Sequence, residues 1–311
     1  PRRWRGTDPT HWPTGLERDW GRGGMIRDIP RGLRFMAAAA FAFSIMSAVG
    51  KVVGQTLPLF ELVFGRSLVV AALAGFALKS RGLAFRPREP RLLIQRGVFG
   101  FLSLSGYFYS IIHLPLADAT VIYFMNPVLT ALAAGVVLGE HMVKKEGVLV
   151  GVSLIGVVLV AKPSFLFGAS SALDPWAVAA GVCAATFGAG SYVTIRQVKH
   201  DPPLLIVFVF SMITLLLAAP LMISEAVVPS LVEVLLLIVM GSATHVGQLL
   251  LTWGLRLERA GRALSVGYLQ IVLAAAWGWV LFGDIPDAWT WTGAVVIALS
   301  TLKLVRLRPI H

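Results

Sequence analysis

The sequence predicts an all-α integral membrane protein with ten transmembrane helices in two inverted five-helix repeats. Three observations predict it. The first is composition: 57% of the 311 residues are hydrophobic and only 14% are charged, with a mean hydropathy of +0.78. No ordinary soluble domain has that balance. The second is an internal echo. The segment 109–140, YSIIHLPLADATVIYFMNPVLTALAAGVVLGE, aligns without gaps on 253–284, WGLRLERAGRALSVGYLQIVLAAAWGWVLFGD, so that Tyr109 falls on Trp253, Ala119 on Ala263, Asn126 on Gln270 and Gly139-Glu140 on Gly283-Asp284. The third is the placement of Lys and Arg, which sit between the apolar runs and alternate from one connection to the next.

The apolar runs give ten spans at 33–53, 59–78, 92–112, 118–138, 147–162, 175–195, 204–224, 231–253, 263–282 and 288–305. Ten spans of roughly 20 residues nearly exhaust the chain, which leaves no room for a soluble catalytic domain. Leu57-Pro58, Arg86-Pro87, Leu114-Pro115, Asp174-Pro175, Asp201-Pro202-Pro203 and Val228-Pro229 mark the breaks, because proline starts helices and interrupts them. The boundaries then divide the chain into a tail (1–30), a first repeat (31–165), a second repeat (166–306) and a short end (307–311). In the fifth span Gly147 and Gly151 form a small-residue pair, read as a packing face within the chain, with a homodimer contact as the alternative.

Orientation follows from the basic residues. The tail up to Arg34, the 79–91 loop, Lys144-Lys145, Arg196 with Lys199, Arg256 with Arg259 and Arg262, and the C-terminal Lys303, Arg306 and Arg308 all fall on alternate connections. The other connections hold only Lys51 and Lys162. The expectation is a multi-pass protein of the inner (plasma) membrane with both termini cytoplasmic, and five spans per half then invert the second repeat. The net charge of +11 is dispersed in this way, so no nucleic-acid surface is expected. Residues 1–24 are rich in Arg, Gly, Pro and Trp without helical periodicity. They read as a cytoplasmic tail, a docking segment (within 1–30) for a protein partner or lipid headgroups, or an extension upstream of Met25.

Polar residues inside apolar helices point toward protein or water. Ser44, Ser47 and Lys51 share a face of the first span; Ser103, Tyr107 and Ser110 of the third; Cys183, Thr186, Gly190 and Thr194 of the sixth; Ser242, His245, Gln248 and Thr252 of the eighth. These place spans 1, 3, 4, 6, 8 and 9 around a polar lumen. Asn126-Pro127 bends the fourth span near its middle, with Tyr123 one turn earlier and Gln270 as the second-half counterpart. Neutral amides offer donors and acceptors together. The candidate substrate-binding set is therefore Ser47, Tyr107, Tyr123, Asn126, His245, Gln248 and Gln270, with interhelical hydrogen bonding the competing reading.

Lys51, Glu61 and Arg66 form a candidate gating or charge-pairing group. Arg66 lies about 12 Å into its helix at 1.5 Å per residue, deep enough to need a partner or water. His245 and Glu61 are the plausible proton carriers, and their scarcity favours a uniporter or exchanger over proton coupling. No catalytic constellation is expected: the sequence lacks G-x-x-x-x-G-K-S/T, H-E-x-x-H and G-x-S-x-G, and its six His are scattered. No metal and no cofactor is expected either, and the single Cys183 permits no intrachain disulfide.

Across residues 31–306 the ordered marks resemble the EamA-type transporters of the drug/metabolite transporter superfamily. They are Pro58 with Arg66, the Ala117-to-Pro127 run, Gly139-Glu140 before Gly147-x-x-x-Gly151, and the second-half echo ending Gly283-Asp284, where Asp replaces the usual Glu. The resemblance implies inverted repeats around a central cavity in the lipid bilayer, and alternating-access transport of a small-molecule substrate. The KVVGQTLPLFELVFGR segment is similar to members that move S-adenosylmethionine, riboflavin or amino acids. The expected activity is movement of a small polar metabolite, an amino acid or related compound. The alternative is a non-transporting subunit that joins a larger membrane complex through its Arg/Trp-rich tail.

Overall fold

The computed structural model describes residues 29–114, 116–140, 142–163, 166, 173–223, 225–283 and 285–307. Of the tail assigned to 1–30, residues 1–28 lie outside them. Twelve helices are present among the described residues: α1 (Arg31–Val53), α2 (Leu59–Ser80), α3 (Pro90–His113), α4 (Leu116–Tyr123), α5 (Asn126–Leu138), α6 (Lys144–Ala161), α7 (Pro175–Gln197), α8 (Pro203–Met222), α9 (Leu231–Leu257), α10 (Ala260–Val266), α11 (Leu269–Phe282) and α12 (Ala288–Arg306). No strand occurs among them.

Proline and capping chemistry set the helix starts. α1 and α2 follow Pro30 and Pro58; α3, α7 and α8 begin on Pro90, Pro175 and Pro203. The Asp174 carboxylate accepts from the Trp176 amide at 2.9 Å, and Asp287 caps α12 through Thr290 N at 2.9 Å. α5 and α11 both end on a left-handed glycine, Gly139 at φ 68° and Gly283 at φ 72°. A side chain would be strained at either place, which explains why the echoed Gly is kept in both copies.

The duplication extends through the whole bundle. α1 and α7 start 144 residues apart, as do α2 and α8, α4 and α10, and α6 and α12. The tightest packing pairs are α1 with α9, α3 with α7, α2 with α8, and α6 with α12. Exchanging the two halves maps this set of pairs onto itself.

Two expectations need correction. Spans four and nine are not single helices: the first breaks into α4 and α5 at Phe124-Met125, the second into α10 and α11 at Gly267-Tyr268. At both breaks the bonds tighten to three-residue spacing, as in Met125 N to Ile122 O at 3.2 Å and Gly267 N to Leu264 O at 2.9 Å. Pro127 is therefore not the sole cause of the bend, since the proline-free copy breaks at the equivalent place. The second correction concerns the fifth span. Gly147 and Gly151 lie on the exposed face of α6. The close approach within the chain is instead made by Gly156, where an added Cβ would stand 2.9 Å from the Gly293 carbonyl of α12. Ser153 and Ser300 hydrogen-bond across the same contact at 2.7 Å.

Eight segments are long and apolar enough to cross a membrane: 31–53, 59–80, 119–138, 175–197, 203–222, 231–257, 260–281 and 288–306. α3 and α6 fall outside this set; Arg91 and Arg96 lie on α3, and Lys144, Lys145 and Glu146 open α6. Large apolar side chains such as Phe76, Val136, Leu216 and Val280 are at least 70% exposed. A water-soluble surface would not tolerate so many, whereas lipid covers them without cost. The chain is a multi-pass membrane protein.

Candidate functional site

The polar residues of the bundle sort into those that serve their own helix and those that reach across. Thr186, Thr194, Thr244 and Thr252 each donate to the carbonyl four residues earlier, at 2.7–2.8 Å. Ser44 donates to Phe41 O at 2.7 Å but also accepts from Trp277 Nε1 at 3.1 Å. The threonine stripes on spans six and eight are thus satisfied locally and leave little for a ligand.

The residues that reach across converge from α1, α3, α4, α5, α7, α9 and α11. Arg96 of α3 donates from Nη1 to Ser191 Oγ on α7 at 2.7 Å and from Nη2 to Gln248 Oε1 on α9 at 3.2 Å. Its guanidinium carbon lies 4.1 Å from the Phe210 ring centroid, a cation–π contact that offsets part of its desolvation. Tyr107 and Tyr123 pack against each other with ring centroids 4.4 Å apart and planes tilted by 37°. Tyr123 is within hydrogen-bonding reach of Ser103 and Tyr192 and in electrostatic range of both Arg66 and Arg96. On the other side Gln270 Nε2 donates to Ser47 Oγ at 3.2 Å, joining α11 to α1.

Asn126, the first residue of α5, accepts from Thr130 at 2.9 Å through its side-chain oxygen. Its Nδ2 is buried and has no hydrogen-bond partner. It packs on α7, where a Cβ at Gly188 would fall 2.1 Å from Asn126 Nδ2. His245 is half-buried on α9 with Nδ1 likewise unsatisfied. The structure therefore joins Gln248 to Arg96, packs Tyr107 on Tyr123, sets Asn126 against Gly188 of α7, and pairs Ser47 with Gln270.

The candidate charge group separates. Lys51 is exposed at the end of α1. Glu61 is buried and accepts from the Val227 amide at 3.0 Å, which fastens the start of α2 to the loop before α9. Arg66 is buried deep in α2, where among the described residues it donates to Met46 Sδ at 3.7 Å and its Nε has no partner. No carboxylate of the described residues lies within ion-pair distance of it. The ionisable groups that bear on Arg66 and Arg96 are tyrosines: Tyr123 for both, and Tyr192 for Arg96.

Arg96 and Ser191 are functional candidates that sequence reasoning missed. Arg96 stands seven residues before Ser103 on a stripe already recognised through Ser103, Tyr107 and Ser110. Counting basic residues by loop drew attention to Arg91 and away from its neighbour one helical turn inside.

At the end of the bundle where the basic loops gather, ion pairs cross between the two halves. Arg196 Nη2 pairs with Glu140 Oε1, and the Ala260 amide donates to the other oxygen of Glu140 at 3.0 Å. Arg259 Nη2 reaches both Glu146 oxygens, at 2.6 and 2.8 Å. Glu89 accepts from the Lys199 and His200 amides at 2.9 and 3.1 Å. The opposite end carries the exposed Lys162–Asp287 pair at 2.8 Å and the Glu61 contact.

A profile of the EamA-like transporter family matches residues 30–162 and 175–306, one match for each half of the bundle. The chain belongs to the EamA-like transporter family. Among its EamA relatives, the pseudopaline exporter CntI of Pseudomonas aeruginosa is 36% identical over 287 residues, covering 91% of this chain and 99% of that protein. An S-adenosylmethionine uptake transporter of Rickettsia prowazekii is 25% identical over 84% of this chain and 88% of its own length. The human solute carrier family 35 member G1 is 26% identical over 87% and 78%. A protein crystal structure matches with a TM-score of 0.77 at 18% identity, covering 88% of this chain and 98% of that one, which shows the fold.

Proposed function

We propose that this EamA protein is a secondary transporter that moves a small polar metabolite, an amino acid or related compound, across the inner membrane by alternating access. In this reading α3 and α6 also span the bilayer, giving ten spans in two inverted five-helix repeats (31–165 and 166–306) with both termini cytoplasmic. The observation that carries it is a set of polar contacts inside the bundle, Tyr107 on Tyr123, Gln248 on Arg96 and Gln270 on Ser47, the last two across the halves, with Tyr123, Asn126 and Gln270 flanking two helix breaks. Broken helices at mid-depth are where carriers of this kind hold substrate. EamA relatives named as an exporter and as uptake transporters support the activity itself.

The coupling reading is uniport or exchange. Glu61 sits in the first turn of α2, engaged with Val227, and His245 is the one imidazole deep in the bundle among the described residues. Counterflow of a labelled amino-acid panel in proteoliposomes without a pH gradient is the test. Exchange is expected to proceed, and to persist in His245→Gln. Accumulation driven by an imposed gradient and lost in His245→Gln would overturn exchange in favour of proton coupling. Topology is tested in a Cys183→Ser background, where Arg86→Cys should label only from the cytoplasm and Val228→Cys only from outside.

A further inference from the structure

The described carboxylates avoid the middle of the bundle. Glu61, Glu146 and Glu233 stand in first helical turns; Glu89, Asp174, Glu258 and Asp287 are caps; Glu140, Asp201 and Glu225 lie in connections. The middle nevertheless holds Arg66 and Arg96, 7% and 3% exposed. Two buried guanidiniums without a counter-charge are costly in a low-dielectric interior, so a bundle that keeps both is built for an anion that arrives from outside.

We infer that Arg66 and Arg96 form a carboxylate subsite, so that the transported metabolite carries acidic groups recognised by these two arginines. This deepens the transport reading and rests on it. The surrounding groups fit the assignment. Asn126 Nδ2 is a buried donor with no acceptor, set against Gly188 on α7 three residues before Ser191, the partner of Arg96, and Tyr123 lies in electrostatic range of both guanidiniums. The acceptors near Arg96, Ser191 Oγ and Gln248 Oε1, each take one bond from its two terminal nitrogens, and the Phe210 ring lies over one face. Its Nε is left without a partner. Arginine with spare donors in a fixed plane matches a carboxylate in two-point contact. The half-symmetry sharpens the point. The position equivalent to Arg66 is Phe210, and that equivalent to Arg96 is Met240, so the second repeat presents apolar surface where the first presents charge. An acidic head against the first repeat and a less polar remainder against the second is the shape the site accepts.

The test is thermal unfolding of the purified full chain at constant ionic strength, titrated with succinate, citrate and L-glutamate. Succinamide and L-glutamine serve as uncharged partners, and inorganic phosphate as the competing anion. The carboxylates should raise the unfolding temperature by about 2–4 °C near saturation, and the amides should not. Arg96→Gln and Arg66→Gln should each weaken the effect at least about tenfold. Ser191→Ala removes only the anchor of Arg96 and should weaken it less, which keeps the test alive if an arginine variant fails to fold. Absence of stabilisation by every carboxylate, equal stabilisation in the arginine variants, or a response to phosphate alone would overturn the subsite. Counterflow separates the two readings. A neutral substrate exchanged with unchanged KM in Arg96→Gln sinks the carboxylate site and leaves the carrier. Carboxylate binding with no counterflow of any bound acid leaves the site and sinks the carrier.

Discussion

Arginines at the basic-loop end and arginines in the middle of the bundle are held in opposite ways. At the end, Arg196 and Arg259 meet the carboxylates of Glu140 and Glu146 across the junction of the two repeats. In the middle, Arg66 and Arg96 meet a thioether, a serine, a glutamine and an aromatic ring. The first pair is partly buried and its charge is answered by the protein, whereas the second is buried and meets no described carboxylate. A charge answered internally fastens the fold, whereas one left open waits for something that comes and goes. The difference separates the groups that close the molecule from those that hold its cargo.

The sharpest way to break that contrast is Glu146→Ala. Glu146 is 3% exposed, takes both contacts from Arg259, lies 4.0 Å from the buried Arg262 and caps α6 through Val143 N at 3.3 Å. Removing it leaves the half-buried Arg259 without this carboxylate and Arg262 with only Glu258 and the carbonyls of Leu304, Val305 and Leu307, which costs about 2–3 kcal/mol. Thermal unfolding in detergent should show the loss, and adding Arg259→Met should restore part of it. A loss under 1 kcal/mol would mean the end is not fastened by this network.

Next in size is Glu140→Gln, which weakens the Arg196 pair and the Ala260 amide bond together for about 1–3 kcal/mol. The junction should then open more often. Ala134, 1% exposed beside this network, gives the readout as a cysteine: labelling of Ala134→Cys should accelerate when Glu140→Gln is added. An unchanged labelling rate would place the closure elsewhere.

How much of this was legible in the sequence depends on which signal each residue leaves. The two-repeat helical fold was readable, because a constant offset of 144 residues leaves ungapped echoes such as Gly139-Glu140 on Gly283-Asp284. Asn126 and Gln270 could be noticed because a lone amide in an apolar run has few neutral explanations. The threonine stripes misled, since a hydroxyl can satisfy its own backbone and so reports little about what it faces. Gly147 and Gly151 misled for the related reason that spacing fixes a shared face but not its partner, and Gly156 makes the contact instead. The second helix break was hidden because proline marks only the first copy. Arg96 was written plainly on the recognised stripe, but a charge close to a basic loop reads as part of that loop.

Smaller in stability and larger in function is Arg66→Gln. Because no described carboxylate faces Arg66, its removal leaves no described buried anion behind. Stability without ligand should therefore change by less than about 1 kcal/mol, in either direction. Glu146→Ala and Arg66→Gln make opposite variants: one loses the fold's fastening, the other keeps it and loses exchange. Unfolding temperature and counterflow measured on both should show this crossing. A large destabilisation in Arg66→Gln would mean its charge is answered within the protein after all.

The smallest effect concerns pH, and it should be confined to the ends. Burial alone would raise the Glu89 carboxyl, but hydrogen bonds from His200 and Lys199 outweigh it and hold the group below its ordinary value. Hydrogen bonds from Lys162 and Thr290 do the same to Asp287 at the opposite end. A depressed carboxyl contributes stability that is present above its unfolded pKa, about 4, and is lost as pH falls through the lower folded value. Glu258 runs the other way. Burial raises its carboxyl, against the pull of Arg262 and Arg259, so its protonation favours the folded state as pH falls from neutral. Unfolding temperature should therefore hold level or rise slightly toward about pH 5 and drop below about pH 4. Glu89→Gln should flatten the acid limb, and Glu258→Gln should remove the slight rise. Carboxylate binding at the middle should follow the ligand's own ionisation, because Arg66 and Arg96 stay charged throughout that range. If Glu89→Gln left the acid limb unchanged while binding collapsed near pH 6, the pH-sensitive groups would lie at the arginine cluster and the division between ends and middle would fail.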